Sequence, residues 1–322
     1  MGRYLLRRLG FAVLLVFIVS SAALVLIQLA PGDATSEIAI NVDAATRARI
    51  RHELGLDRPI AVQYLSWLRG VARLDFGRSL YYSRPITTLL KERALNTAVL
   101  ATAAMVVATL IGLPLGVYSG SRSRGIGPGI VRALSIAGLS VPPLVGSLAL
   151  VFLAARTGWF PVGGMNSASG VDLAWGAWLA DIANHMPVPV MALALPLAAS
   201  IERLQSQSIA GASREPFVAA SRARGLTEAA SLVRHAWPAS LRPVLGLYGV
   251  MIGSLFSGSF VVEVVTSWPG LGRLMYDALK ARDLYLVAGC AASGAIFLAA
   301  ATLIADVLLA FADPRVRGEG RS

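Results

Sequence analysis

The sequence predicts an all-α integral membrane protein: six transmembrane helices, with a long external segment between helices 1 and 2. Two observations carry this reading. The 322 residues are 56% hydrophobic and only 15% charged, with a mean hydropathy of +0.65, whereas soluble domains carry about 25% charged residues. The apolar residues also stand in blocks of about twenty, enough to cross a hydrocarbon core of about 30 Å as a helix.

Six blocks qualify: Leu9–Ala30, Thr97–Tyr118, Ile130–Ala155, Asn184–Gln205, Pro243–Val265 and Leu284–Phe311. Helices are expected because a helix satisfies its own backbone hydrogen bonds in lipid. Pro114, the pair Pro142-Pro143, and Pro196 interrupt three of them. Proline kinks a helix, but bundled neighbours satisfy the freed carbonyls. The Pro142-Pro143 pair reads as a static kink rather than a flexing point.

The first block follows Arg3, Arg7 and Arg8. It is longer than a signal-peptide core and no A-x-A site follows it, so it reads as a retained anchor. With the N-terminus placed in the cytoplasm, fifteen of the 29 Lys and Arg fall in cytoplasmic segments and four in the two short external loops. The positive-inside rule then puts both termini in the cytoplasm. The net charge of +11 thus reads as membrane orientation, and no nucleic-acid partner is expected. The chain is read as one transmembrane domain, 1–322, with an external segment 31–96 and a cytoplasmic segment 206–242.

Within 31–96, Ala44–Leu54 has helical spacing and stops at Gly55, and Pro59 opens a second helix. Tyr64, Trp67, Tyr81 and Tyr82 suit a membrane interface. A packed external cap and a docking surface are both compatible with this segment.

Catalytic signatures are missing. Neither Lys91 nor Lys280 follows a glycine, so there is no phosphate-binding loop. His52, His185 and His235 are far apart, without a metalloprotease or nucleophile-elbow motif. No catalytic, metal or cofactor site is expected. Glu202, Glu263 and Asp306 lie near predicted span ends, where long side chains reach the interface at lower cost. Their scarcity argues that energy enters from outside the chain.

The segment from Ser213 to Pro243 points to where. It reads as a short helix, a glycine stop and a second short helix. Ser213 is a candidate N-cap, with Glu215 and Pro216 in the first turn and Arg222 and Arg224 at the negative end. Gly225 suits a left-handed cap, and Thr227 caps the second helix. Ala219, Ala220 and Ser221 form a small-residue stretch that another surface can approach closely. An ordinary capped loop would satisfy the same rules. In span five, Gly249, Gly253 and Ser257 form a small-xxx-small face, for packing within the chain or against another subunit. Trp268, Pro269 and Gly270 lie just outside span five as an interface tryptophan and a turn.

The segment resembles the coupling loop of binding-protein-dependent ABC importer permeases. The whole chain is similar to the first-subunit branch of the dipeptide/oligopeptide/nickel permease family. The resemblance runs through Tyr4-Leu-Leu-Arg-Arg-Leu, Ala30-Pro-Gly-Asp, Leu54-Gly-Leu-Asp-Arg-Pro-Ile, Asp75-Phe-Gly-Arg-Ser, Gly138-Leu-Ser-Val-Pro, Gly158-Trp-Phe-Pro, Ala223-Arg-Gly-Leu, Ser267-Trp-Pro-Gly-Leu-Gly and Asp313-Pro-Arg-Val-Arg. Two positions depart from the pattern: the motif's glutamate falls at Ala219, and Arg242 stands where leucine usually precedes proline.

The resemblance implies a permease subunit in the bacterial cytoplasmic membrane that forms half of a pathway for peptides or related solutes. Its partners would be a second homologous permease, two cytoplasmic ATPases that bind ATP and Mg, and an external substrate-binding protein. Phe217, Ala219, Ala220, Ser221, Ala223, Arg224, Gly225, Leu226 and Thr227 would contact an ATPase. Gly249, Gly253, Ser257, Pro142 and Pro143 would serve packing or the pathway, and Trp268, Pro269 and Gly270 the external rim. An ion-coupled secondary transporter is the alternative, and it would need a coupling-ion site at mid-membrane.

Overall fold

A computed structural model describes residues 2–29, 45, 57–71, 73, 75–122, 125–167 and 174–312. The predicted helix Ala44–Leu54, apart from Ala45, with its Gly55 stop, the Ala30-Pro-Gly-Asp motif and the Asp313-Pro-Arg-Val-Arg motif lie outside the described residues, as does the side chain of Asp306.

Twelve α-helices occur among the described residues. They are α1 (Gly2–Leu29), α2 (Ile60–Val71), α3 (Ile86–Ser121), α4 (Ile126–Ser140), α5 (Pro143–Thr157), α6 (Trp175–His185), α7 (Pro187–Ala212), α8 (Pro216–Ala223), α9 (Glu228–Ser231), α10 (Trp237–Val265), α11 (Leu271–Lys280) and α12 (Leu284–Ala312). A π-helical turn, Leu232–Ala236, joins α9 to α10.

The predicted spans fall on these helices. α3, α7 and Leu284–Leu303 of α12 are each long and apolar enough to cross a membrane, and two bent pairs pass the same test together. The first predicted span falls on α1, which has 28 residues and carries the apolar run Val13–Ala23. Pro114, Pro196 and Pro243 sit inside continuous helices.

One expectation is corrected. The block Ile130–Ala155 is not a single kinked helix but two helices, α4 and α5, bent by 107° at the break. Val141 is extended at φ −86°, ψ 117°, Pro142 at φ −59°, ψ 143°, and Pro143 starts α5. The cause is local. A proline pushes the residue before it out of the α region, so Pro142 unwinds Val141 and Pro143 unwinds Pro142. Pro143 then suits the first turn of a new helix, where its missing N–H costs nothing.

The chain divides into two compact units: Met1–Thr97 with Pro269–Ala299, and Ala98–Trp268 with Ala300–Ser322. In the first, α2 packs Trp67 against Ala288 of α12, with Tyr64 and Tyr285 alongside. Trp67 is 5% exposed; it is a packing residue here and not the interfacial aromatic its sequence context suggests. Pro59 opens α2 as expected, its carbonyl accepting the N–H groups of Val62 and Gln63.

Asp283 organises this unit. It stands at the N-cap of α12, where its Oδ1 accepts the Leu286 N–H at 3.3 Å, as short polar side chains do at a helix start. Its Oδ2 accepts the Ser79 hydroxyl at 2.7 Å and the N–H groups of Leu80 and Tyr81 at 2.7 and 3.2 Å. One buried carboxylate thereby ties the segment before α3 to the start of α12. The Tyr82 hydroxyl donates to Asp277 at 3.1 Å.

The second unit has its core where α7 meets α3 and α10. Leu100, Ala104 and Ala108 of α3, Leu193, Leu197 and Ile201 of α7, and Val244, Met251 and Leu255 of α10 form one buried cluster. The outward faces of α4 and α5 are apolar and exposed, as at Ile130, Leu134, Leu148 and Phe152. A patch of this kind is costly in water and ordinary against lipid tails.

Candidate functional site

The segment after α7 folds into an elbow. α7 runs on to Ala212, seven residues past the predicted end of span four. Ser213 is not the N-cap of the next helix; it closes α7, donating its hydroxyl to the Ile209 carbonyl at 2.7 Å. Glu215 takes the extended N-cap position of α8, without a side-chain cap bond, and Pro216 is the first helical residue.

α8 ends as its sequence requires. Gly225 has φ +94°, a region that penalises any side chain with a Cβ. The Gly225 N–H donates to Arg222 O at 2.9 Å and the Leu226 N–H to Ser221 O at 3.3 Å. This pair of bonds is a Schellman motif, which satisfies the last carbonyls of the helix. Thr227 then caps α9, its Oγ1 accepting the Ala230 N–H at 3.3 Å. α9 is not a separate short helix. It passes through the π-helical turn into α10, so the second arm of the elbow is continuous with span five.

The two arms are locked face to face. Val218, Ser221 and Ser231 are fully buried. Ser221 and Ser231 share a hydroxyl–hydroxyl hydrogen bond, and the Ser221 hydroxyl also donates to Val218 O at 2.7 Å. Ser221 therefore belongs to the inner seam and not to an outer surface. The outer face carries Phe217, Ala219, Ala220, Ala223, Arg224, Gly225 and Thr227, all exposed, with Leu226 half-buried. The result is a shallow ridge of apolar and small residues, hydrogen-bonded from within, with Arg222 and Arg224 exposed at the end of α8.

Between the elbow and the ends of α3, α4 and α7 lies a cleft of about 670 Å³, whose walls include Arg132, Arg203, Arg214 and Arg222. Glu202 reaches it from a buried position and accepts the Ser119 hydroxyl. Because α7 is longer than the predicted span, Glu202 stands ten residues before the helix end. Among the described residues, no group of three or more His, Cys, Asp or Glu could hold a metal ion.

A second set of small residues shapes the helix packing. The close approach is made by α3, through Gly112, Gly116 and Gly120. A Cβ on Gly112 would stand 2.7 Å from Ala198 O, on Gly116 2.6 Å from the Gln205 Cβ, and on Gly120 would overlap Ser206 O. This four-residue spacing of glycines, absent from the sequence reading, lets the backbones of α3 and α7 touch. Gly249 and Gly253 are half-buried and Ser257 is exposed, while Met251 and Leu255 of the same helix turn into the core. Pro142 and Pro143 are exposed at the α4–α5 break.

Trp268 does not lie on a rim. It is fully buried in the core cluster, and Gly270 is also buried; only Pro269 of the three is partly open. Sequence position alone could not separate an interfacial indole from a packed one, since both follow the end of an apolar helix.

Helices long and apolar enough to cross a membrane, with an elbow between two of them, define an integral membrane protein. Residues 112–318 match the family described as binding-protein-dependent transport system inner membrane component, and residues 1–90 match its N-terminal membrane-component family. The chain belongs to that family: it is the transmembrane permease subunit of an ABC importer.

The oligopeptide transport system permease protein AppB of Bacillus subtilis is 30% identical over 98% of this chain and 99% of its own length. The dipeptide transport system permease protein DppB of Lactococcus lactis subsp. cremoris is 31% identical over 98% and 100%. Among solved structures, the inward-facing MetNI methionine ABC transporter shares the fold, with a TM-score of 0.53 at 18% identity, over 70% of this chain and 96% of that one. The family is one of transport permeases and not a catalytic family, and its members work with ATPase and substrate-binding subunits in general.

Proposed function

We propose that this chain forms half of a translocation pathway for peptides or related small solutes, and that the outer face of the elbow docks on a separate ATPase. The observation that carries the proposal is the elbow's two-sidedness. Its inner seam of Val218, Ser221 and Ser231 is buried and bonded, while Phe217, Ala219, Ala220 and Ala223 stand outward. Apolar and small groups held rigid at a surface suit a close-packed interface. Because α9 continues into α10, movement of the elbow would pass directly into a spanning helix.

The partners in this reading are a second homologous permease, two ATPases that bind ATP and Mg, and an external substrate-binding protein. Both termini then lie in the cytoplasm, on the ATPase side of the bacterial inner membrane. Gly249, Gly253 and Ser257 offer a small-residue face to the second permease. The peptide class rests on the AppB and DppB likeness over nearly the full chain.

The test is reconstitution of the permease pair with and without ATPases in proteoliposomes, followed by peptide uptake. Uptake should require ATPases and ATP. Gly225→Val should abolish ATP-driven uptake at normal expression, because a β-branched residue cannot hold the left-handed cap. Wild-type uptake by this variant would overturn the docking role, and uptake by the permease pair alone would overturn the dependence on separate ATPases.

A further inference from the structure

The segment 158–186 between α5 and α7 has an unusual polarity. Over these 29 residues the sequence contains no Lys, Arg or Glu; its ionisable groups are Asp172, Asp181 and His185. A water-exposed stretch of that length would carry several charges, since about a quarter of residues in soluble domains are charged. Asp172 lies outside the described residues.

Helix α6 within it turns both of its ionisable groups, Asp181 and His185, inward beside the buried Ile182 and leaves apolar residues outward. Asp181 turns toward the preceding loop, accepting the Ser167 N–H and the Ser167 hydroxyl, both at 2.7 Å. These donors hold its carboxyl below the usual carboxylate range. The His185 ring is buried and its Nδ1 lies 2.8 Å from the Asp181 carbonyl oxygen. The outward face instead presents Trp175 at 77% exposure and Leu179 at 48%, with Ala180 and Ala183 beside them and Asn184 as its polar residue. An amphipathic helix packed on a soluble protein turns its ionisable groups outward instead.

The position of α6 names its partner. Met186 alone separates it from α7, a membrane-spanning helix, so its C-terminal end is held at the boundary of the bilayer. Upstream, Trp159 is 73% exposed just after the left-handed cap at Gly158. Arg156 lies over the Phe152 ring, 5.1 Å from its centroid, as a cation does where a span leaves the hydrocarbon. Tryptophan is enriched at that level because its ring is apolar and its N–H is not.

We infer that α6 is a membrane-surface helix whose Trp175–Leu179 face is covered by lipid at the bilayer interface. This inference rests on the permease reading only for the presence of the membrane; it does not depend on docking or on the substrate.

The test uses the full chain, assembled with its co-expressed partner subunits in phosphatidylethanolamine/phosphatidylglycerol vesicles. Ala180→Cys and, separately, Ala183→Cys carry a nitroxide label, with unmutated protein as the control for the buried Cys290. Power saturation then compares collisions with oxygen, which dissolves in lipid, and with a water-soluble nickel chelate. The expected result is high oxygen and low nickel access at both positions, with a label depth about 5–10 Å inside the headgroup boundary. High nickel access would overturn the inference in favour of a water-facing helix. Low access to both reagents would overturn it in favour of a protein partner covering this face. Loss of ATP-driven uptake in a Gly225 variant leaves this measurement untouched, so the two readings fail separately.

Discussion

Asp283 and Ser79, 204 residues apart in the sequence, meet through a 2.7 Å hydrogen bond in a buried site. The same carboxylate caps α12 and receives two backbone N–H groups. A hydrogen bond to a charged group contributes about 1.5–3 kcal/mol, and removing the acceptor strands the donors. Asp283→Ala should therefore lower stability by at least about 2 kcal/mol, the mid-range of one such bond. Thermal unfolding of the purified permease in detergent measures it. Ser79→Ala should cost less, because Asp283 keeps its other donors.

The elbow seam gives a prediction about cooperation. Ser221 and Ser231 bond each other, and each can also turn to Val218 O. Either single alanine substitution should cost about 1 kcal/mol, the usual net worth of a hydrogen bond. The double variant should cost less than the sum, by about 0.5 kcal/mol or more, because contacting residues couple. A double-mutant cycle on unfolding free energy reads this term, and additive costs would show that the seam is not a shared bond.

Gly116 faces a different constraint. A Cβ there meets the Gln205 Cβ at 2.6 Å and Glu202 O at 2.8 Å, so α3 and α7 must part to admit it. Overpacking of this kind costs about 1–3 kcal/mol, and Gly116→Val should exceed Gly116→Ala. Gly246, where a Cβ meets nothing within 4 Å, should tolerate alanine. Yields of folded protein by size-exclusion chromatography and melting temperature compare the three.

Alkaline titration tests the Tyr82–Asp277 contact. Burial first, and then the Asp277 carboxylate, push the Tyr82 hydroxyl from 10.0 up to about 12. The folded state thus holds this proton more tightly than the unfolded chain. Its contribution is fully present below the unfolded value and is lost as pH rises through the folded one. Stability should fall between pH 10 and 12, and Tyr82→Phe should remove that pH-dependent component while lowering the neutral-pH stability by about 1 kcal/mol, the usual net worth of the lost bond to Asp277. Melting curves of both proteins across this range provide the check.

Much of the fold was legible because it is governed by local rules. The six apolar blocks are visible as run lengths. Pro216, Gly225 and Thr227 announce their positions because a fixed φ, a left-handed cap and a side-chain acceptor act within a few residues. Even the α4–α5 break has a local cause in Pro142-Pro143, although the 107° between the helices depends on how each packs against α7.

What the sequence alone determined about this protein is where the chain can cross a membrane and where its helices must start and stop; these depend on hydrophobic length and backbone sterics. Tertiary structure decided which face of each helix is used. It turned Ser221 inward and left Ala219 and Ala220 outward, buried Trp268, joined α9 to α10, and brought Asp283 to Ser79. Those outcomes depend on partners far along the chain, and a residue's local pattern does not record which distant group will desolvate or bond it. The membrane permease was therefore readable in one dimension, while the geometry of its elbow, and the inward turn of Asp181 and His185 on α6, required three.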